Sequence, residues 1–386
     1  MKTKQVLRQN RFIQCSVMVP AICFLIASSS LIFAQTPAAN PHPAGKIAAR
    51  PLYRDPVLDN PTDPVVVFNA ESKRWLMYYT QRRGASIAEI HGSKIGIAAS
   101  EDNGATWKYI GTAGITYGQD EHPADYTYWA PDVIWVKDSY HMFLAYVPGI
   151  FNNWNHPREI VHLTSKDGLI WDTVGKVDLQ SGKVIDPCLI QIPNGDWRMF
   201  YKDEARPHTI CYADSHDLYQ WEVKGNAVTN RDGEGPVCIR FQGKYWLLAD
   251  TDMPDGQAVW SSDDCTNWKP QDSTFYGSHG DIVVSGGRAW WFYFGGQRIG
   301  NVNWAVIPGT EPASAATNAP ASAPGFGGRG GGRGLAINVV EIKVIDGKLM
   351  YTNPNQPTYI DLKPVREKKS DEPPAGKALP DTKPSD

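Results

Sequence analysis

The chain has 386 residues and a formal net charge of -3, so its length admits one to three domains and its near-neutral balance argues against a nucleic-acid surface. Its 14 Trp and 17 Tyr are a heavy aromatic load, suited to packing β-sheets and to stacking on sugars.

Residues 1–34 read as an export signal. Lys2, Lys4, Arg8 and Arg11 give a positive start, Val17 to Phe33 is an apolar run broken by serines, and Ala34-Gln35 offers a cleavage point. The run is short and interrupted for a retained anchor, so the expected address is periplasmic or secreted, without stable membrane insertion. Cys15 and Cys23 leave with the signal. Cys188, Cys211, Cys238 and Cys265 remain, an even number for an oxidising compartment, with a pairing that their spacing does not dictate. Residues 35–50 form a linker.

From residue 51 to residue 362 short strand-like runs recur as a unit. "PTDPVVVFN" is followed by "RWLMYYTQR", "SKIGIAAS" and "EDNGATWKYIG". "APDVIWV" leads to "YHMFLAYVP", "REIVHLTS" and "KDGLIWDTVG". "IDPCLIQI" leads to "DWRMFYKDE", "HTICYADS" and "HDLYQWEVKG". "EGPVCIRF" leads to "KYWLLADTD", "QAVWSS" and "DDCTNWKPQ". The last copy reads "HGDIVVSGG", "AWWFYFGG", "NVNWAVI" and, after an interruption, "LAINVVEIKVIDGKLMYT". Residues 309–334 and the tail 363–386 have little to bury and are expected to be a disordered insert and end. Each four-stranded antiparallel unit hides its faces only by stacking on neighbours. Five of them predict an all-β fold, a monomeric five-bladed β-propeller of four-stranded antiparallel blades.

The turns between third and fourth strands carry a signature of their own. Ser100, Asp102, Gly104, Thr106 and Trp107 match the Asp-box of sialidases, and Ser165-Asp167-Trp171, Ser215-Asp217-Trp221 and Ser262-Asp264-Trp268 are shorter relatives. Their expected role is structural: the polar side chain bonds the turn backbone and the Trp fills the gap between blades.

In a propeller the first strand of each blade lines the central channel. The residues opening those strands are Asp63, Asp132, Asp186, Glu234, and His279 with Asp281, and they are expected to meet at one mouth. Carboxylates gathered in a narrow opening oppose folding through repulsion and desolvation, which marks the cluster as functional. Opposed carboxylates suit glycoside hydrolysis, one donating a proton and one activating water or attacking carbon. A third carboxylate raises the acid's pKa. Tyr128, Trp129 and Trp154 flank the blade-two strand and are positioned to stack on sugar, with Asp132 beside them.

In order and blade position, "TDP", "WAPDV", "IDP", "EGP" and "SHGD" resemble glycoside hydrolase family 43, over about residues 55 to 308. Families 32, 68 and 117 share this type of propeller. The resemblance implies that Asp63 is the general base, Asp186 the pKa-tuning residue and Glu234 the general acid of an inverting glycosidase. The substrate class it implies is a plant or algal arabinosyl, xylosyl or galactosyl glycan. It also implies that His279 lies on the channel axis, at the substrate and near a calcium ion, whose removal by a chelator would lower melting temperature and activity together. Glu121, His122 and Asp125 beside "TYWAPDV" depart from the pattern, and Asp59 in "LDNPTDP" is a rival base. Two other readings stand beside it: a non-catalytic sugar-binding propeller, and a retaining fructosidase-like hydrolase, to which Arg54-Asp55-Pro56 bears a likeness although it precedes blade one.

Overall fold

The computed structural model describes residues 44–121, 125–206, 210–251, 256–273, 275, 277–295 and 334–364. The expected export signal, most of the linker, nearly all of the 309–334 insert and the tail from residue 365 lie outside the described residues. Among the described residues no helix is long and apolar enough to cross a membrane.

Five four-stranded antiparallel sheets follow one another along the chain, each with its strands in sequence order. Blade one comprises Pro61–Asn69, Arg74–Gln81, Lys94–Ser100 and Lys108–Thr112. Blade two comprises Thr127–Val136, Ser139–Val147, Glu159–Ser165 and Asp172–Lys176. Blade three comprises Val184–Gln191, Trp197–Asp203, Ile210–Ser215 and Glu222–Val228. Blade four comprises Gly233–Phe241, Lys244–Thr251, Gln257–Ser262 and Lys269–Pro270. Blade five comprises Gly280–Ser285, Arg288–Phe294, Ile337–Ile345 and Lys348–Tyr351. The five first strands touch one another in cyclic order, which makes the array a closed ring around a channel.

Local chemistry explains the tight hairpins. Gln242-Gly243 and Asp346-Gly347 each join two strands with both residues at positive φ, the two-residue geometry whose twist matches that of the strands. The second strands are buried along nearly their whole length because both faces are covered by neighbouring blades.

The serine-aspartate turns work as the sequence implies. In blade one Ser100 Oγ accepts the Gly104 amide at 2.9 Å and Asp102 Oδ1 accepts the Thr106 amide at 2.9 Å. Each turn's Trp then packs edge-on against an aromatic ring on the second strand of the preceding blade. The pairs are Trp107 with Phe292, Trp171 with Tyr78, Trp221 with Phe143 and Trp268 with Phe200, at 5.7–6.2 Å between centroids. One sequence signature therefore supplies both the turn and the blade-to-blade contact.

Blade five differs from the sequence expectation. The strand Arg288–Phe294 is paired on one side with Gly280–Ser285 and on the other with Ile337–Ile345, so both of its edges are taken. The segment after the insert supplies both outer strands, and "NVNWAVI" lies outside the described residues. The seam between blades five and one is covered by a short clasp in which Lys46–Ile47 pairs with Tyr359–Ile360. Ala48, Leu52, Ile360 and Leu362 join Trp75, Met77, Trp290 and Phe292 in one buried cluster there.

Candidate active site

Four of the five first strands carry the same irregularity. An X-Pro pair bulges out of the ladder with X at positive φ: Asp63-Pro64 (52°), Ala130-Pro131 (42°), Asp186-Pro187 (57°) and Gly235-Pro236 (55°). Such a bulge re-aims the side chain at X, and the left-handed region is more open to Asp and Gly than to most residues. These pairs, with His279-Gly280 from blade five, bound a recess of about 30 Å³ on the channel. That is room for one water and not for a sugar ring.

The bulges put the expected residues in register. Asp63 and Asp186 occupy the X position of blades one and three. In blade four a carboxylate cannot stand there, because a Cβ at Gly235 would lie 2.1 Å from the His279 ring. The carboxyl comes instead from Glu234, one residue earlier, a solvent-exposed residue at the same strand start. Asp186 Oδ2 accepts the Gly235 amide at 2.9 Å, which fixes it beside Glu234.

Asp63 is buried and surrounded by partners. His279 Nε2 lies 2.8 Å from its Oδ1, Arg82 is 3.3 Å from its Oδ2, and the Thr62 hydroxyl donates to Oδ2 at 2.9 Å. Burial favours the neutral acid, but Arg82 and His279 together outweigh it and hold the carboxyl well below the usual range. His279 responds in the opposite sense. Burial opposes its charge, yet Asp63, joined by Asp186 and Asp250, pushes it up to about 10. Asp186 is pushed up to about 6 by burial and by Asp63, against the pull of His279. Glu234 is raised by the surrounding protein and then by the charge of Asp186, with Glu204 adding in the same sense. One carboxylate is thus kept ionised and another is pressed toward its protonated form around one recess.

Sequence reasoning missed Arg82, Asp250 and Glu204. Arg82 follows the second strand of blade one, with its guanidinium 5.6 Å from the centre of the Phe294 ring. Asp250 pairs in register with Glu234, and its Oδ2 is 3.7 Å from His279 Nδ1. Glu204 is held by Arg158 of blade two.

Several expectations are corrected. Asp132 is not at the mouth: Ala130 occupies the position of Asp63, and Asp132 lies two residues further along, where its Oδ2 accepts the Leu189 amide at 2.6 Å. Its charged neighbour there is Asp281, whose Oδ2 accepts the Val66 amide at 2.9 Å. Tyr128, 2 % exposed, is a core residue that donates its hydroxyl to Tyr117 O at 2.6 Å. Trp129, 6 % exposed, is packed against His91 and donates its indole N–H to Ile90 O at 2.7 Å. Trp129 is covered by the Ile87–Ile90 segment and Tyr128 by Tyr126 and Tyr146, so neither offers a face to sugar. Trp154, 45 % exposed, keeps an open face while its ring leans on Trp129 and His156. Asp59 is tied to Arg54 at 3.0 Å and accepts the Gly334 amide at 3.1 Å, so the rival base belongs to a structural contact. Asp55 is buried under bonds from Gln81 Nε2 and the Val57 and Leu58 amides, outside the recess.

Direct ligation of calcium by His279 does not fit these contacts. Both ring nitrogens face carboxylates, and an imidazolium has no lone pair to give; calcium, moreover, takes oxygen ligands. Among the described residues no group of three or more His, Cys, Asp or Glu side chains is placed to hold a metal ion.

The deeper pair has a measurable consequence. Burial, and then the charge of Asp281, pushes Asp132 up to about 7. The folded state therefore holds a proton that the unfolded chain releases near pH 4, and stability falls as pH rises from about 4 through about 7. Asp132→Asn keeps an oxygen for the Leu189 amide and removes the penalty. Its melting temperature is expected to exceed wild type by on the order of 4 °C at about pH 8 and to match it near pH 4, by scanning calorimetry. An equal shift at both values would contradict the buried-proton account.

No family model and no curated protein matches the sequence. Solved structures do match the fold. A thermostable family-43 glycoside hydrolase superposes with a TM-score of 0.54 at 16 % identity, covering 81 % of this chain and 99 % of that one. A family-43 β-1,3-galactosidase solved with galactodeoxynojirimycin gives 0.56 at 12 % identity, covering 82 % and 99 %. The family-32 β-fructofuranosidase of Bombyx mori gives 0.53 at 12 % identity, covering 76 % of this chain and 62 % of that one. At these identities the likeness is one of fold: the chain is a five-bladed β-propeller of the architecture seen in family-43 and family-32 glycoside hydrolases.

Proposed function

We propose that this protein is an exported glycoside hydrolase that inverts configuration at the anomeric carbon of a neutral arabinosyl, xylosyl or galactosyl glycan. The observation that carries the reading is the split in protonation around one recess, with Asp63 held ionised by Arg82 and His279 while Asp186 and Glu234 are pushed upward. A water in the recess beside Asp63 attacks the anomeric carbon and gives its proton to Asp63. As the bond to the leaving oxygen breaks, Glu234 delivers its proton to that oxygen. Asp186, fixed on the Gly235 amide, keeps Glu234 protonated until then. His279 and Arg82 hold Asp63 in place and neutralise part of the carboxylate cluster. The galactosidase of like fold, and the order of the "TDP", "IDP" and "EGP" segments, support the substrate class.

The pH dependence follows from these directions. Asp63 stays ionised across the working range, so the free enzyme loses activity mainly on the alkaline side, as the Asp186–Glu234 pair gives up its proton. The test is release of reducing sugar from a panel of arabinans, xylans and galactans, with and without a chelator. Hydrolysis of at least one polymer is expected, with kcat/KM falling on the alkaline limb and unchanged by the chelator. Binding without hydrolysis across the panel would reduce the protein to a sugar-binding propeller, and loss of activity on chelation would restore a metal to the account.

A further inference from the structure

Blade two carries a second and larger cavity, about 430 Å³, that shares no lining residue with the recess. It opens on the mouth side of the ring, between the connection into Thr127–Val136, the end of Ser139–Val147 and the start of Glu159–Ser165. The Tyr117 hydroxyl donates to Glu159 Oε1 at 2.7 Å, and the Tyr117 ring meets Tyr146 edge-on at 5.0 Å. Tyr146 is 5 % exposed, and its hydroxyl is buried without a hydrogen-bond partner among the described residues. Gly118, at φ 74°, lies directly over that hydroxyl, since a Cβ there would approach it to 2.1 Å. The hydroxyl is thus shut beneath Gly118, and the polar groups along the cavity belong to Tyr117, Asp120, Glu121, Arg158, Glu159 and Lys176.

The lining identifies the ligand class. Of the five charged residues around the cavity, Lys176 is committed to Glu159 at 2.8 Å and Arg158 to Glu204. Asp120 and Glu121 then set the sign, which is negative and disfavours an anionic sugar. Tyrosine rings with carboxylate acceptors and ammonium and guanidinium donors around one cavity suit a ligand dense in hydroxyl groups. Arg158 also forms a wall between the two sites, because it lines the cavity while its guanidinium holds Glu204.

We propose that this blade-two cavity is a second carbohydrate subsite, which holds a neutral sugar residue of the same glycan whose scissile bond lies at the central recess. The proposal rests on the glycosidase reading for its substrate, but its binding step can be tested alone. Gly182 lines the cavity, and a Cβ there would meet nothing within 4 Å, so Gly182→Trp fills the space without backbone strain. With melting temperature unchanged, Gly182→Trp is expected to lower kcat/KM about tenfold on arabino-, xylo- or galacto-pentasaccharides, whichever wild type cleaves, and to leave the corresponding aryl monoglycoside unaffected. Lys176→Ala should move the same way. Calorimetric titration with the same pentasaccharides separates the two readings. Binding that weakens in Gly182→Trp, with no hydrolysis by wild type, would overturn the glycosidase reading and leave the subsite standing. Unchanged binding and unchanged kcat/KM on the long substrates would overturn the subsite.

Discussion

Glu234→Gln is expected to slow hydrolysis of natural glycosides by about 10²–10⁴-fold while sparing aryl glycosides with good leaving groups. The amide keeps the shape and the mouth position of the side chain but has no acidic proton. A sugar leaving group is too basic to depart without one, whereas a nitrophenolate needs little help. The selectivity between the two substrates is what distinguishes loss of the acid from loss of structure. Steady-state kinetics on both kinds of substrate check it, and an equal fall on both, or none on either, would remove Glu234 from the role. The pH profile gives a second reading: with the natural substrate wild type declines on the alkaline limb, and on the aryl substrate Glu234→Gln should lack that limb. The limb belongs to the Asp186–Glu234 pair jointly, so Asp186→Asn should displace it toward lower pH by removing the charge that holds the proton on Glu234.

The sequence made the channel strands legible because proline marks them. Asp63-Pro64 and Asp186-Pro187 repeat one local device, and a reader aligning blades on X-Pro finds both carboxylates without the structure. The same alignment would have moved Asp132 off the mouth, since Ala130 and not Asp132 precedes the proline of blade two. Glu234 also stands out of step, and its reason is visible only in three dimensions: His279, from the next blade, fills the space above Gly235. Arg82 and Asp250 left no signal because each lies at the end of a second strand, where a charged residue is an ordinary turn residue until the ring closes around it. Tyr128 and Trp129 were misread for the converse reason. Aromatic residues beside a channel strand suit sugar stacking or packing equally well, and the Ile87–Ile90 segment that buries Trp129 belongs to the neighbouring blade. Blade architecture was easier to read because each serine-aspartate turn encodes its own local bonds and carries the Trp that meets the preceding blade.

Asp63→Asn should suppress cleavage of natural and aryl glycosides alike, by on the order of 10³-fold, because the water loses its proton acceptor whatever the leaving group. This variant must be read with its electrostatics in view. Asp63 is the partner of both His279 and Arg82, so the amide removes the anion that the two share in a buried place. A lower melting temperature is therefore expected, and activity is to be measured well below it, with circular dichroism confirming the fold. The stereochemistry then decides what kind of acceptor Asp63 is. If a water stands between Asp63 and the anomeric carbon, the Asp63 and Glu234 carboxyls should lie roughly 6.5–9.5 Å apart in a substrate complex, and proton NMR of the first-formed sugar should show inverted configuration. A separation of about 5 Å with retained configuration would make Asp63 a nucleophile that attacks carbon itself. An inverting base would need a water held beside it, and the recess bounded by Asp63 and by the prolines of four blades has the volume of one.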